Sequence, residues 1–356
     1  MPVPLLNDFT NFRNFSFLCL NADGQFIDLP DNATDISVGT PVLPSRLPEF
    51  LREAIYLQPN VSDVFVWVHG WQHDLDSSYH LAQRLFGNLE AAITKSNLYD
   101  TLGTIPSFVA VHWPSKSATT PRGYEIIRDR AAKMTTKGDA EFFLASLLGY
   151  LNKKNKRSRS GKVLRSADGY YVHCLGHSFG CRFLTAAIRA AANPVARTQS
   201  LLQTLGPPGR RTLSVRSERL FEFTVDSICF LQMAAPCSAF SDDLTLLVDE
   251  SPVRGPVALT YSIHDRANCL WHARAEAGER GIGCQGATEP AQFIGQTVLK
   301  SPSEPYSEED FLSLIINVDA SAVYTKKGFR FEGAHSDIWY EETLHLILGL
   351  VKHSRL

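Results

Sequence analysis

The stretch YYVHCLGHSFGCRFLTAAI, from Tyr170 to Ile188, places a serine between two glycines at a point where the character of the chain changes. Before Ser178 the residues are mostly apolar and β-favouring, which is typical of a buried strand. After it, apolar residues recur at i, i+3, i+4 and i+7, the spacing of one helical face. The stretch therefore predicts a strand, a sharp turn and a helix. Gly176 and Gly180 leave room where the strand and the helix pass close together.

Ser178 has two interpretations at this turn. It is either a nucleophile held on a strained strand-to-helix elbow, or a serine that caps the first turn of the helix. The Gly-x-Ser-x-Gly pattern is weak by itself, because chains of this length contain it by chance. We favour the nucleophile, since the strand before the serine and the paired glycines are what an elbow requires.

The composition is that of an ordinary globular protein. The chain has 356 residues, of which 44% are hydrophobic and 20% charged, with a formal net charge of -2. It lacks the basic excess of a nucleic-acid binder. We expect one α/β domain over residues 1–356. Because neither a signal peptide nor an apolar run of about eighteen residues appears, we also expect a cytoplasmic chain without a transmembrane segment.

The seven cysteines are scattered along the chain. They include no CxxC pair, and no cysteine and histidine stand at the spacing of a metal site. Several lie in apolar, strand-like runs. We therefore expect buried free thiols instead of disulfides or a zinc site.

Strand-like runs alternate with helical patterns along the rest of the chain. An Asp-Gly turn predicts an N-terminal hairpin at about residues 14–30. The segment 124–151 predicts one helix, and a final helix covers 341–353. An irregular excursion, a candidate lid, covers about 193–220. The remaining strand-like runs are DVFVWVHG (63–70), SFVAVHWPS (107–115), SICFLQMAAP (227–236), VALTYSIHD (257–265) and FLSLIINVD (311–319). This alternation predicts parallel βαβ units, with a mostly parallel central sheet and helices on both faces.

Three chemically suited residues follow predicted strands. Functional groups gather beyond the carboxyl ends of parallel strands. There the chain presents Ser178, then Asp265, then His335, which is the chain order of α/β-hydrolases. A serine is a poor nucleophile near neutral pH, so a histidine must accept its proton and an acid must orient the imidazole. These residues are the candidate nucleophile, acid and base.

The neighbouring residues predict an oxyanion hole and a pocket. A developing oxyanion needs donors aimed at it, and the backbone N–H groups of Phe179 and Trp71 are the candidates. His177, Gln72 and Trp113 are the pocket candidates. His177 has the alternative of packing only.

Other assignments stay open from the residues alone. Asp265 could simply cap the helix that follows it, and the competing acids are Asp226, Asp242 and Asp319. The other histidines considered as the base, His264, His272 and His345, lie within a predicted strand or on helices, where a base role is less usual. His73 and Asp74 have only their proximity in favour of a metal role, so no metal or cofactor is expected.

These motifs resemble a bacterial family of α/β-hydrolases of unknown function. The similarity covers roughly Val64 to Val351 and includes VWVHGW, VHWPS, RDRA, GHSFG, LQMAAP, TYSIHDRANCLWHARA, GERGIG, VDAS and GAHSDIW. It implies the α/β-hydrolase fold, with Ser178, Asp265 and His335 as nucleophile, acid and base. Two positions depart from the family pattern. Phe179 stands where members usually have Met, and Cys181 stands where they have a smaller polar residue, which leaves pocket shape and substrate open.

The expected function is that of a serine hydrolase. It would cleave an ester or related acyl bond of a small molecule through an acyl-enzyme intermediate, without a cofactor. The alternatives are a lipase acting at a membrane surface, an acyltransferase with the same triad, and a binding protein that keeps the fold without turnover.

Overall fold

The structure is a computed structural model that describes residues 2–5, 9, 11–30, 32–95, 103–154, 170–192, 225–241, 244, 247, 253–325 and 332–355. The excursion expected at about 193–220 lies outside these residues, and so does Asp242. Within the described ranges, no helix is long and apolar enough to cross a membrane.

The described strands form one ten-stranded sheet in the order β3-β2-β1-β5-β4-β6-β7-β8-β10-β9. Their bounds are β1 Ser16–Leu20, β2 Phe26–Asp28, β3 Thr40–Pro41, β4 Asp63–Val68, β5 Pro106–His112, β6 Tyr171–His177, β7 Ser227–Leu231, β8 Val257–Tyr261, β9 Ile294–Val298 and β10 Ile315–Asp319. Every pair from β1 to β9 in that order is parallel. Among the described strands, antiparallel pairing is confined to β1, β2 and β3. The prediction of a mostly parallel sheet is confirmed.

Helices cover both faces of the sheet. Their bounds are α1 Leu47–Ala54, α2 Leu75–Lys95, α3 Pro121–Thr136, α4 Ala140–Lys154, α5 Gly180–Ala192, α6 His272–Ala275, α7 Ile282–Gln285 and α8 Glu341–His353. Side chains alternate along a strand, so β4 serves two cores. Val64, Val66 and Val68 pack with α1, α3, α4 and α5. Phe65 and Trp67 face the opposite way and pack with α2 and α8.

The prediction of one helix over 124–151 is wrong. The chain forms α3 and α4 instead, with a break at Lys137–Asp139. There the N–H groups of Lys137 and Gly138 both bond to the carbonyl of Lys133, which ends α3, and the N–H of Asp139 donates to the carbonyl of Asp23 in the turn of the N-terminal hairpin. A tertiary contact therefore divides a pattern that reads as continuous in sequence.

The prediction that the cysteines are free thiols is wrong for two of the seven. Cys269 and Cys284 form a disulfide, with their Cα atoms 5.0 Å apart. It joins the π-helical segment Ala267–Trp271 to α7. The other five, Cys19, Cys174, Cys181, Cys229 and Cys237, are buried free thiols. Burial raises the pKa of Cys229 to about 12, as expected for an inert core thiol.

Candidate active site

Ser178 lies on a sharp turn between β6 and α5. Its φ is 54°, in the left-handed region that non-glycine residues rarely adopt. The two glycines are explained by close packing. A Cβ at Gly180 would overlap the carbonyl oxygens of Val68 and His69, and one at Gly176 would lie 3.0 Å from the Cα of Cys181. The local geometry is that of the elbow predicted from the sequence.

The three candidate catalytic side chains meet beyond the carboxyl ends of β6, β8 and β10. The Oγ of Ser178 lies 2.7 Å from Nε2 of His335, and Nδ1 of His335 lies 2.8 Å from Oδ2 of Asp265. All three residues are buried. The Nδ1–H therefore donates to the carboxylate, and Nε2 is left to accept the serine proton.

The charge of Asp265 decides the basicity of His335. Burial by itself would lower the pKa of His335, but the negative charge and hydrogen bond of Asp265, together with the charge of Glu332, outweigh it. The net result is a pKa above the ordinary histidine value. The protonated form of the His335 ring is thereby stabilised relative to the neutral form.

Backbone contacts hold the histidine loop against the acid loop. Gly333 and Asp265 form an isolated antiparallel bridge, and the N–H of Ala334 donates to the carbonyl of His264 at 2.9 Å. Gly333 has φ 64°, and a Cβ there would overlap His264. Only glycine satisfies both constraints. His335, two residues later, is therefore placed by a fixed backbone.

His177 packs against the candidate base. Its Nε2–H donates to the backbone carbonyl of His335 at 2.9 Å, and the two rings lie 5.1 Å apart. Burial lowers the pKa of His177 well below its ordinary value. The neutral ring of His177 supports the His335 loop through this hydrogen bond. This favours the alternative that His177 only packs.

The loop after β4 lies directly against Ser178. A Cβ at Gly70 would lie 2.9 Å from the Cβ of Ser178 and would overlap the ring of His177. The Nδ1–H of His69 donates to the carbonyl of Gly70 at 2.8 Å. In a trans peptide the next N–H points the opposite way, so this bond also fixes the direction of the Trp71 N–H.

The two predicted oxyanion donors are available. Within the described part of the chain, the backbone N–H groups of Trp71 and Phe179 have no acceptor. Their neighbours are bonded: the N–H of Gln72, after Trp71, donates to the carbonyl of Ser115, and the N–H of Ser178, before Phe179, donates to that of Leu231. Buried backbone N–H groups without a partner are rare, and a ligand oxygen bound next to Ser178 would supply the acceptor that these two lack.

The other two pocket candidates differ in what they contact. Trp113 is fully buried and its Nε1–H donates to the carbonyl of His69 at 2.7 Å, so it braces the loop after β4. Gln72 has φ 78°, and its buried Nε2 has no partner among the described residues. Gln72 therefore has a polar group left for a ligand.

The competing acids and histidines are engaged elsewhere. Oδ2 of Asp226 accepts from the N–H of Val172, and Oδ1 of Asp319 accepts from that of Ser321. His272 bonds to Tyr124 through Nδ1, and His345 donates to Glu304. The carbonyl of His264 anchors the histidine loop. Asp265 does cap the segment that follows it, through the N–H of Asn268 at 2.9 Å, so its two interpretations hold together.

Metal-binding geometry is absent from the part of the chain that the structure describes, where no three or more His, Cys, Asp or Glu side chains converge on a common site. Asp74, which the sequence places near His73 as a weak metal-ligand candidate, bonds instead to Lys116 at 2.7 Å and to Ser77.

A second set of Ser, His and Asp lies inside the sheet. Ser227 Oγ is 2.8 Å from Nδ1 of His173, whose Nε2 is 3.0 Å from Oδ1 of Asp63. Arg355 and Ser62 also bond to this carboxylate. Asp63 and Ser227 begin β4 and β7, at the opposite edge of the parallel strands from Ser178. This cluster ties three strands together and serves as an internal comparison for the candidate triad.

Sequence reasoning missed Asn268. Its side-chain Nδ2 lies 2.7 Å from Oδ2 of Asp265, the oxygen that also binds His335. The only sequence signal was its position within the TYSIHDRANCLWHARA motif, three residues after the acid.

Comparison with known proteins adds no assignment. No family model matches the chain, and neither the curated proteins nor the solved structures contain a significant match.

Proposed function

We propose that this chain is a serine hydrolase of the α/β-hydrolase type that cleaves an ester or related acyl bond. The observation that carries the proposal is the continuous hydrogen-bond chain from Ser178 through His335 to Asp265, built on a positive-φ elbow. The backbone N–H groups of Trp71 and Phe179, which have no acceptor among the described residues, belong to the loop and elbow next to the serine.

The residues would act in a defined order. His335 Nε2 takes the proton from Ser178 Oγ as the oxygen attacks the acyl carbon, and the carbonyl oxygen becomes an oxyanion. The N–H groups of Trp71 and Phe179 stabilise that charge, a contribution of about 3–4 kcal/mol for one such donor. The tetrahedral intermediate then expels the alcohol, which takes the proton from His335.

Deacylation uses the same groups in reverse roles. His335 removes a proton from water, the hydroxide attacks the acyl carbon, and the second tetrahedral intermediate releases the carboxylic acid as Ser178 regains its proton. Asp265 holds the imidazole in the required tautomer throughout. No cofactor enters either half of the cycle.

Backbone strain favours catalysis over a purely structural serine. A non-glycine residue in the left-handed region costs about 1–2 kcal/mol, and such strain persists mainly at functional sites. Ser178 bears this cost, whereas a helix-capping serine has an extended backbone. Together with the buried donors, this argues against a binding protein that keeps the fold without turnover.

The experiment is covalent labelling with a fluorophosphonate probe, in which the serine oxygen attacks phosphorus and fluoride leaves. We expect mass spectrometry to find the probe on Ser178, and Ser178→Ala to abolish labelling. Ser227→Ala is the matched control, because it also removes a serine bonded to a buried histidine. It should be labelled at the parent rate. Undiminished labelling of Ser178→Ala would contradict the proposal.

A screen of nitrophenyl esters then defines the reaction. We expect turnover that Ser178→Ala removes, with the rate depending on acyl length. Short and long acyl chains are compared because Phe179 and Cys181 depart from the family pattern and leave the pocket shape open.

A further inference from the structure

We propose that Asn268 is a positioning residue for the catalytic acid. This positioning role rests on the proposed function. The task of Asn268 is to hold the carboxylate of Asp265 in the orientation that His335 requires. The observations that carry it are the hydrogen bonds of one asparagine to both oxygens of that carboxylate.

Asn268 makes the hydrogen bonds to the Asp265 carboxylate that His335 does not make. Its backbone N–H donates to Oδ1 at 2.9 Å, and its side-chain Nδ2 donates to Oδ2 at 2.7 Å. Because His335 Nδ1 also donates to Oδ2, the two nitrogens lie only 3.3 Å apart. Rotation of the carboxylate about its Cβ–Cγ bond would break all three bonds, so the plane that faces the imidazole is fixed.

The identity of the amide nitrogen follows from its partners. The second proton of Nδ2 goes to the backbone carbonyl of Gln232 at 3.0 Å, so this atom lies between two acceptors and must be the donor. Asn268, Asp265 and Gln232 are all fully buried. Charge-assisted hydrogen bonds of this kind are stronger than neutral ones, and strongest where water is excluded.

The surroundings leave Asn268 no other position. The N–H of Gly281 donates to its backbone carbonyl at 2.9 Å, and a Cβ at Gly281 or Gly283 would overlap its side-chain amide. The next residue, Cys269, is bonded to Cys284 in the same glycine-containing segment. The side chain is therefore held by close packing, and the backbone next to it by the disulfide, as expected of a group that must orient another group.

Loss of the amide donor should affect the base in a particular direction. If the carboxylate of Asp265 rotates, its hydrogen bond no longer raises the pKa of His335, while burial continues to lower it. On the acid side of a pH–rate profile, labelling slows as His335 becomes protonated; this part of the curve is the acid limb. A positioning role therefore predicts slower labelling of Ser178 and a displacement of the acid limb to lower pH. Simple destabilisation of the fold would reduce the folded fraction without moving that limb.

The test is a double-mutant cycle on the fluorophosphonate labelling rate of Ser178, with Asn268→Leu, Asp265→Asn and the double variant. Leucine keeps the approximate volume and removes the donor. We expect Asn268→Leu to slow labelling by about tenfold to a hundredfold, the cost of misplacing a catalytic group by about an ångström. In the Asp265→Asn background the same change should cost about twofold or less, since it acts through Asp265.

Asn317→Leu is the matched control. Asn317 is equally buried and its side chain makes two hydrogen bonds to the backbone of Ala287, outside the candidate site. We expect it to leave the labelling rate per folded molecule and the acid limb unchanged, with folded protein quantified by circular dichroism.

Three outcomes separate the proposals. An equal loss from Asn268→Leu in both backgrounds, or an acid limb that stays in place, would overturn the positioning role while leaving the proposed function intact. A parent protein that the probe does not label at Ser178 would overturn the proposed function, and the positioning role with it.

Discussion

The Cys269–Cys284 disulfide provides a prediction that needs no substrate. The perturbation is the double change Cys269→Ser and Cys284→Ser, or reduction of the parent with dithiothreitol. The bond closes a loop of 15 residues, which constrains the unfolded chain by about 3 kcal/mol. Unfolding 356 residues carries an entropy of about 0.75 kcal/mol/K, so the loss corresponds to a Tm lower by about 4 °C.

The assay is differential scanning calorimetry with and without reductant. We expect the parent to lose about 4 °C on reduction, and the double variant to start at the lower Tm and to stay there when reductant is added. A thiol titration in denaturant gives an independent reading, because only five of the seven cysteines are free. Seven reactive thiols in the unreduced protein, or a Tm that does not respond to reductant, would refute the reasoning.

Three further predictions concern the candidate site. Gly70→Ala should slow fluorophosphonate labelling about a hundredfold, because the added Cβ would overlap the ring of His177 and displace the loop beside the elbow. Labelling at the parent rate would show that the loop tolerates the methyl group. The labelling rate should fall about tenfold per pH unit below the pKa of His335, which lies above the ordinary histidine value. His335→Ala should remove both this acid limb and most of the labelling. A parent rate that does not depend on pH would exclude a histidine base. Asp265→Asn should slow labelling by about a thousandfold or more and move the limb to lower pH, while Asp319→Asn should do neither; the reverse pattern would mean that the acid is misassigned.

Patterns that depend on neighbouring residues were predictable from the sequence. The buried strand before Ser178 and the helix after it have the periodicities of their elements, and the glycines mark where backbones approach. The approach of Asp265 and His335 to the serine was predictable for a related reason. The carboxyl ends of parallel strands share one edge, so residues that follow different strands come together.

Features that depend on distant contacts were not predictable. The break after α3 depends on the hairpin turn at Asp23, more than a hundred residues earlier in the chain. The strand β9, Ile294–Val298, was missed because an edge strand has only one neighbour and is not continuously apolar. The disulfide was missed because cysteine pairing requires a known Cα separation, which spacing in sequence does not supply.

The buried cluster of Ser227, His173 and Asp63 has a consequence for how candidate active sites are searched for in protein structures. A geometric template made of one serine, one histidine and one aspartate at hydrogen-bonding distances matches two sites among the residues that the structure describes. The backbone separates the two matches, because Ser178 has a positive φ and a following N–H without an acceptor in the described chain, whereas Ser227 lies within a regular strand. A template that also scores the φ of the serine and the backbone N–H that follows it would separate the two sites without reference to sequence.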